Sequence, residues 1–531
     1  MPKPAGFATG TRGTALAAGV AMIIGLAGSS VVRADETVPP DLASIGTITG
    51  AHIDAAIDGL DANVAEIMRR SGTPGVAVAV VRDGKTVFAK GYGVRKAGED
   101  ARVDADTVFQ LASISKSISG SVVAHEVGTG HVTWDTPLVQ SLPWFELSDP
   151  YVTRHVTVGD MFAHRSGLPG QAGDLLEGLG FDRRQILERL RLMPLASFRD
   201  TYAYSNFGLT AGAEAVAAAS GKDWADLADE VLFAPLGMAS TSARFADFAA
   251  RGNRAAGHVL VDGVYQPKFV RMPDPQSPAG GVSSSVNDMA RWMSMLLQDG
   301  AFEGREIVAA EPLRQAMQPQ IVSAPAATIA GRPRFYGFGF TQTISSSGRL
   351  LIGHSGAFSV GAGTTFSVIP SADVAIVVLT NAAPNGTAEA IVRQFEDVVQ
   401  TGAVERDWYA LFNGAFSQML AAEGELVGQP RPSDPAASAD PAVLAGTYDN
   451  AFYGPAEIAA GADGLTLKLG PAGVTFPLAH WDGDTFTFDP FANDGVVGSV
   501  SRVVFDVEGG AARAMTIEAF DNEGLGTFER H

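Results

Sequence analysis

Ile53, Ile57, Leu60, Val64, Ile67 and Met68 fall three or four residues apart, so they line one face of a helix over 53–70, which Gly72-Thr73-Pro74-Gly75 ends. Residues 76–81 are then apolar without a break, and Asp83-Gly84 leads into Thr86-Val87-Phe88, which predicts a hairpin of buried strands. Helical spacing returns from Ser113 through Ile118, Val122 and Val123 to about Gly128, from about Leu209 to Ser220 before Gly221, and over 388–399. Residues 361–368 and 374–379 are rich in β-branched side chains on either side of Pro370-Ser371-Ala372-Asp373 and read as a second hairpin. Residues 157–170 read as a short helix running into a Gly/Pro turn.

Residues 428–441, from Gly428-Gln429-Pro430-Arg431-Pro432 to Asp440-Pro441, are proline-rich, polar and aperiodic, which predicts an extended linker. Beyond them the repeat becomes two. Leu465/Leu467/Leu469, Phe486/Phe488 and Met515/Ile517 alternate with polar neighbours, and Asp463-Gly464, Asp482-Gly483 and Glu508-Gly509-Gly510 mark turns. A small antiparallel barrel is the closure that leaves no strand edge exposed. No repeat of 20–50 residues is sustained, which argues against a solenoid. The expected organisation is a leader over 1–34, a mixed helix and sheet region over 35–427, the linker over 428–441 and an all-β barrel over 442–531, with few contacts crossing the linker.

The leader carries Lys3 and Arg12, an apolar run over 15–26, and Val32-Arg33-Ala34 before Asp35-Glu36, the pattern of a secretory signal cut after Ala34. Its apolar run is shorter than the roughly 20 residues that span a bilayer. A secreted or periplasmic product with no membrane span in the mature chain is expected; the alternative is an uncleaved anchor, since Arg33 stands close to the cut. The 531 residues contain no cysteine, so neither disulfides nor a lipidated cysteine is available, and stability must come from the core. With 58 acidic against 38 basic side chains the net charge is −20, which argues against nucleic acid and anionic membrane as partners.

Chemistry enters with Ser113-Ile114-Ser115-Lys116, where hydroxyl and amine lie one turn apart on the same face at a helix start. A helix dipole, a free backbone N–H and a partly buried amine would together make Ser113 a nucleophile. Taken alone the tetrapeptide fits a helix N-cap with Lys116 in solvent better than it fits a nucleophile beside its base. His125-Glu126 lacks the second histidine of a zinc-protease helix, because Thr129 stands there. Gly353-His354-Ser355-Gly356-Ala357 lacks the closing glycine of the hydrolase elbow.

Ser113-Ile114-Ser115-Lys116, Tyr204-Ser205-Asn206 and His354-Ser355-Gly356 occur in the order and at the rough distances of the three motifs of penicillin-recognising serine hydrolases. Over about 55–400 the chain resembles class C β-lactamases and their peptidase and esterase relatives. His164-Arg165-Ser166-Gly167-Leu168, Ala234-Pro235-Leu236-Gly237-Met238, Pro278-Ala279-Gly280-Gly281-Val282 and Tyr336-Gly337-Phe338-Gly339-Phe340 are similar to the same family. The resemblance implies an α/β (α+β) β-lactamase/transpeptidase-like sandwich with helices around an antiparallel sheet, and the C-terminal barrel looks lipocalin-like.

By the same resemblance Ser113 forms an acyl-enzyme, Lys116 takes its proton, and Tyr204 relays a proton to the leaving group; whether Lys116 or a tyrosinate is the base stays open. The oxyanion is expected between the N–H groups of Ser113 and Ala357. Asn206 is expected to bind the acyl-side amide, and His354, Ser355 and Gly356 to line the substrate strand, with His354 at a polar or anionic end. His354 replaces the lysine usual in lactamases with an imidazole that ordinarily titrates near neutrality, so D-aminopeptidase-like, DD-peptidase-like or esterase-like activity is favoured over β-lactamase. No metal, nucleotide or flavin is implied. A small peptide, ester or cell-wall fragment is the expected partner. The contrasting reading is a silent fold that binds such fragments or another protein.

Overall fold

The computed structural model describes residues 46–491, 496 and 498–531. The expected leader and its cut at Ala34 lie outside the described residues.

The helix expected over 53–70 is two helices, α1 (Gly50–Asp58) and α2 (Leu60–Ser71), with Gly59 ending one and starting the other. Glycine is the weakest ordinary helix former, and the chain turns where it stands. The left-handed Gly72 closes α2, and strands β1 (Gly75–Arg82) and β2 (Lys85–Gly93) follow as a hairpin. Asp83 and Gly84 at its tip have φ of 49° and 67°, both left-handed as the two-residue turn requires.

The chain then builds α3 (Ser115–Gly128), α4 (Val158–Phe162), α5 (Asp174–Gly178), α6 (Asn206–Ala219) and α7 (Val286–Leu297). It returns to strands β3 (Ile321–Ala324), β4 (Arg334–Tyr336), β5 (Thr341–Ile344), β6 (Leu350–Phe358), β7 (Ala362–Ile369) and β8 (Val374–Thr380), followed by α8 (Thr387–Thr401). Among the described residues these strands form one eight-stranded antiparallel sheet, ordered β2-β1-β8-β7-β6-β5-β4-β3. Helices cover both faces, which explains the unbroken apolar run of β1. Val76, Val78 and Val80 join a cluster with Ile53, Val64 and Ile391, while Ala77, Ala79 and Val81 join one with Ile118, Val122 and Met289.

Helix α3 runs through the middle of the second cluster although it is rich in serine. Three of its four serines tie down neighbouring segments: Ser115 Oγ accepts from the Val282 N–H at 3.0 Å, Ser117 donates to the Gly339 carbonyl at 2.6 Å, and Ser119 to the Pro278 carbonyl at 2.7 Å. Buried hydroxyls are tolerated because they are paired. Near its end, buried Glu126 takes hydrogen bonds from His131 at 2.7 Å and from Ser220 at 2.5 Å, joining the ends of α3 and α6.

The C-terminal strands are β9 (Gly446–Asp449), β10 (Ala456–Gly461), β11 (Gly464–Leu469), β12 (Val474–Asp482), β13 (Thr485–Phe488), β14 (Ser501–Glu508), β15 (Ala511–Ile517) and β16 (Thr527–Arg530). Among the described residues they close into an eight-stranded barrel whose interior holds Leu467, Phe486, Met515 and Ile517. The linker is extended and tied to the barrel's own turn, Ala436 N–H to Asp482 at 2.7 Å and Ala439 N–H to Asp484 at 2.7 Å.

The barrel also lies against the helical region more closely than the linker's composition suggests. The Ala472 N–H donates to the Leu179 carbonyl at 3.1 Å and Arg189 Nε to the Phe452 carbonyl at 3.0 Å. Leu179 and Phe181 are buried and belong to the same apolar cluster as the barrel interior. A Cβ on Gly470, itself left-handed at φ 69°, would lie 2.3 Å from the Leu179 carbonyl.

Candidate active site

Ser113 sits in a single 3₁₀ turn, Ala112–Ile114, that feeds straight into α3. Ala112 before it has φ 47°, a left-handed conformation that a side chain adopts only under constraint. The amine three residues on is fully buried. Lys116 Nζ lies 3.1 Å from Ser113 Oγ, 2.6 Å from Asn206 Oδ1 and 2.9 Å from the Ala279 carbonyl. The solvent-facing lysine is thereby ruled out, and its burial lowers the amine to about 7 despite the opposing pull of Asp174.

This geometry suits a neutral amine. Three oxygens surround the nitrogen; once the amine is neutral, its two N–H groups meet the Asn206 and Ala279 oxygens and its lone pair is free to take the hydroxyl proton of Ser113. Tyr204 lies on the other side, hydrogen-bonded to Ser113, with its ring centroid 4.5 Å from Lys116 Nζ. Burial holds the phenol well above its ordinary range, so it stays protonated.

Asn206 opens α6 behind the Ser205 cap. Its Oδ1 faces Lys116 and its Nδ2 donates to Asp174 Oδ2 at 2.8 Å, leaving the second Nδ2 hydrogen for a substrate carbonyl. Asp174 is a residue the sequence reading did not single out. Burial pushes its carboxyl up to about 7, with Asn206 pulling it back and Glu177 adding to the rise.

The third motif lies on β6. Strand β5 pairs with β6 only as far as Gly353, so residues 354–358 keep one edge free of it. A Cβ on Gly356 would lie 2.3 Å from the Leu111 carbonyl and 2.9 Å from the Ser113 nitrogen, so only glycine lets the strand approach the nucleophile this closely. Ala357 follows on the same strand, half-buried. Ser355 is exposed on the opposite face of the strand, with its hydroxyl 3.0 Å from that of Thr365.

His354 differs from expectation in its state. Its Nδ1 lies 2.6 Å from the Ser355 carbonyl, to which only an N–H can donate, so Nε2 accepts from the Tyr336 hydroxyl at 2.8 Å. Burial, and the neighbouring Lys116, lower it to about 3, so the imidazole is neutral where a free one would titrate. His164 completes an aromatic cage: its ring packs 4.5 Å from Tyr204 and 5.0 Å from Tyr336, and its Nδ1 accepts from the Ser205 N–H at 3.2 Å.

The structure thus brings Ser113, Lys116, Tyr204, Asn206 and the 354–357 strand together. The supporting stretches supply second partners: Ala279 holds Lys116, Tyr336 holds His354, and His164 holds the Tyr204 loop. Asp174 carries no sequence signal, being one of two acids in a short helix that begins after Gly173. Among the described residues no cluster of His, Asp and Glu is placed to hold a metal ion.

Residues 60–400 match the Beta-lactamase family and residues 430–528 a Domain of unknown function (DUF3471). An unguisins hydrolase of Aspergillus campestris (strain IBT 28561) is 28% identical over 423 residues, covering 75% of this chain and 77% of that protein. Penicillin-binding protein 4 of Amycolatopsis lactamdurans is 28% identical over 398 residues, covering 71% and 93%. The octameric penicillin-binding protein homologue from Pyrococcus abyssi shares the fold with a TM-score of 0.57 at 19% identity, over 89% of this chain and 99% of that one.

Proposed function

This chain belongs to the beta-lactamase family, and we propose that within it the protein is an exported serine hydrolase that cleaves peptides or esters through an acyl-enzyme on Ser113. The observation that carries the reading is the buried Lys116 amine, 3.1 Å from Ser113 Oγ and satisfied on its other sides by Asn206 and Ala279. A module that only binds has no use for a desolvated amine aimed at a hydroxyl.

Neutral Lys116 takes the Ser113 proton as Oγ attacks the carbonyl. Tyr204 is held protonated by burial, which favours Lys116 over a tyrosinate as the base and leaves the phenol to pass a proton to the leaving atom. The oxyanion forms between the N–H groups of Ser113 and Ala357, and losing one such donor costs about 3 kcal/mol of transition-state stabilisation. Asn206 holds Lys116 and offers its remaining N–H to the acyl side.

A neutral His354 provides no fixed cation for a drug carboxylate, which disfavours β-lactamase activity. Peptide substrates fit the relative named D-alanyl-D-alanine-carboxypeptidase/endopeptidase AmpH of Escherichia coli (strain K12). Export rests on the N-terminal charge and apolar pattern; no helix among the described residues is long and apolar enough to cross a membrane. A panel of D-amino-acid amides, D-Ala-D-Ala peptides, short acyl esters and nitrocefin tests the assignment. Turnover of the first three classes and little of nitrocefin is expected, and rapid turnover of nitrocefin alone would overturn it.

A further inference from the structure

Beside the reaction centre lies a cavity of about 460 Å³ whose floor is the α8 side of the sheet. Side chains alternate along a strand, so His354 and Gly356 face Ser113 while Ser355 points the other way, as do Thr365 and Ser367 on β7 and Thr341 and Thr343 on β5. The floor is therefore a sheet of hydroxyls. Tyr204 and His354 line the same cavity, so it reaches the catalytic side around the end of the β5–β6 pairing at Gly353.

Its wall is the first turns of α8, and there Glu389 stands out. The side chain lines the cavity and the residue is only 8% exposed, yet Oε1 is buried without a hydrogen-bond partner among the described residues. The Ser355 hydroxyl and the Glu389 backbone N–H lie close enough to favour the ionised carboxyl. Buried polar atoms are almost always paired, so one left bare in a cavity wall marks a place where a donor is missing. The other charges in the trough do not fill that need: Arg393 is paired with Glu396 at 2.6 Å, and Arg334 is exposed on β4.

We propose that this trough is a subsite for an ammonium group carried by the leaving part of the substrate, with Glu389 as its counter-ion and the Ser355 and Thr365 hydroxyls as further acceptors. An ammonium brings three donors and a charge, which a buried carboxylate beside hydroxyl oxygens satisfies. Placing the leaving part here rests on the hydrolase reading, because Tyr204 delivers the proton to the leaving atom and Tyr204 borders the trough. Burial raises Glu389 to about 7, with its own backbone N–H, Ser355 and Arg393 pulling it back, so an arriving cation favours its ionised form.

The test uses three matched N-acetyl-D-alanine esters, with 5-aminopentyl, pentyl and 4-carboxybutyl leaving alcohols. In the full chain, kcat/KM for the aminopentyl ester is expected to exceed that for the pentyl ester by about tenfold, with the carboxybutyl ester slowest. Glu389→Gln should bring the aminopentyl-to-pentyl ratio close to one, and Glu389→Asp should restore part of it. A ratio near one in the unaltered chain, or one that survives Glu389→Gln, overturns the subsite. Calorimetric binding of the same esters to Ser113→Ala and to Ser113→Ala/Glu389→Gln separates this failure from that of the hydrolase reading. Tighter binding of the aminopentyl ester that depends on Glu389 supports the subsite even if no ester is turned over. Equal binding of all three overturns it.

Discussion

Asn206 Nδ2 donates to Asp174 Oδ2 at 2.8 Å, so the carboxamide that holds Lys116 is itself held by a buried acid. The acid favours the charged amine and opposes the burial that favours the neutral one. Asp174→Asn removes the charge while keeping an oxygen for Asn206. It should lower the Lys116 pKa further, so the acid limb of kcat/KM moves to lower pH. A pH–rate profile of the variant checks this, and a limb that stays in place or moves upward would show that Asp174 does not act on the amine.

In the unaltered chain Lys116 must be neutral to take a proton. Raising pH through about 7 increases the neutral fraction, so kcat/KM should rise through that range and level off above it. His354 titrates only near 3, so it adds no limb between about pH 5 and 8. A matched neutral and anionic ester should therefore give parallel profiles, whereas a separate fall for the anionic ester near pH 6 to 7 would mean the imidazole titrates in contact with substrate.

His354→Lys should reduce turnover by about tenfold or more for neutral and anionic esters alike. It forces a charge against Lys116 and strips the Tyr336 hydroxyl of its acceptor, which typically costs about 1 to 3 kcal/mol. Kinetics on the same ester pair measure it; a selective gain on the anionic member would mean a cation is welcome there.

The barrel should matter to the site as well as to stability. Gly470→Ala places a Cβ 2.3 Å from the Leu179 carbonyl at a left-handed position, and Leu179 lies one residue beyond the end of α5, which carries Asp174. A melting temperature lower by several degrees and a fall in kcat/KM are expected together. Ending the chain near 428 should be more damaging, since it uncovers Leu179 and Phe181, worth about 1.5 to 3 kcal/mol each. Unchanged melting and activity in Gly470→Ala would show that the contact carries no load.

What the chain reveals without coordinates follows the range of the interactions. Ser113 and Lys116 are legible because they lie one helical turn apart, and the barrel because its alternation survives in Leu465, Leu467 and Leu469. The unbroken apolar run of β1 announces a strand covered on both faces. Long-range burial is not written so locally. His354 looks like a titratable group until Tyr336 and the Ser355 carbonyl are seen to take both nitrogens. Nothing in the composition of the 428–441 linker shows that the turn over 470–473 docks on Leu179, and the helix over 53–70 breaks because Gly59 outweighs its amphipathic spacing.

Ser113→Ala should abolish covalent labelling and cut turnover at least about 10³-fold with little change in melting temperature. Lys116→Ala should be nearly as severe, and the double variant little worse, because the two act as one unit. Additive losses would mean that the amine serves another step.

The most direct measurement is the rate and position of labelling by a fluorophosphonate as pH is raised from about 5 to 9. The label should be found by mass spectrometry on Ser113, its rate should climb through about pH 7, and the climb should vanish in Lys116→Ala. A label on any other residue, or a rate that ignores both pH and Lys116, would contradict a serine activated by a buried neutral lysine.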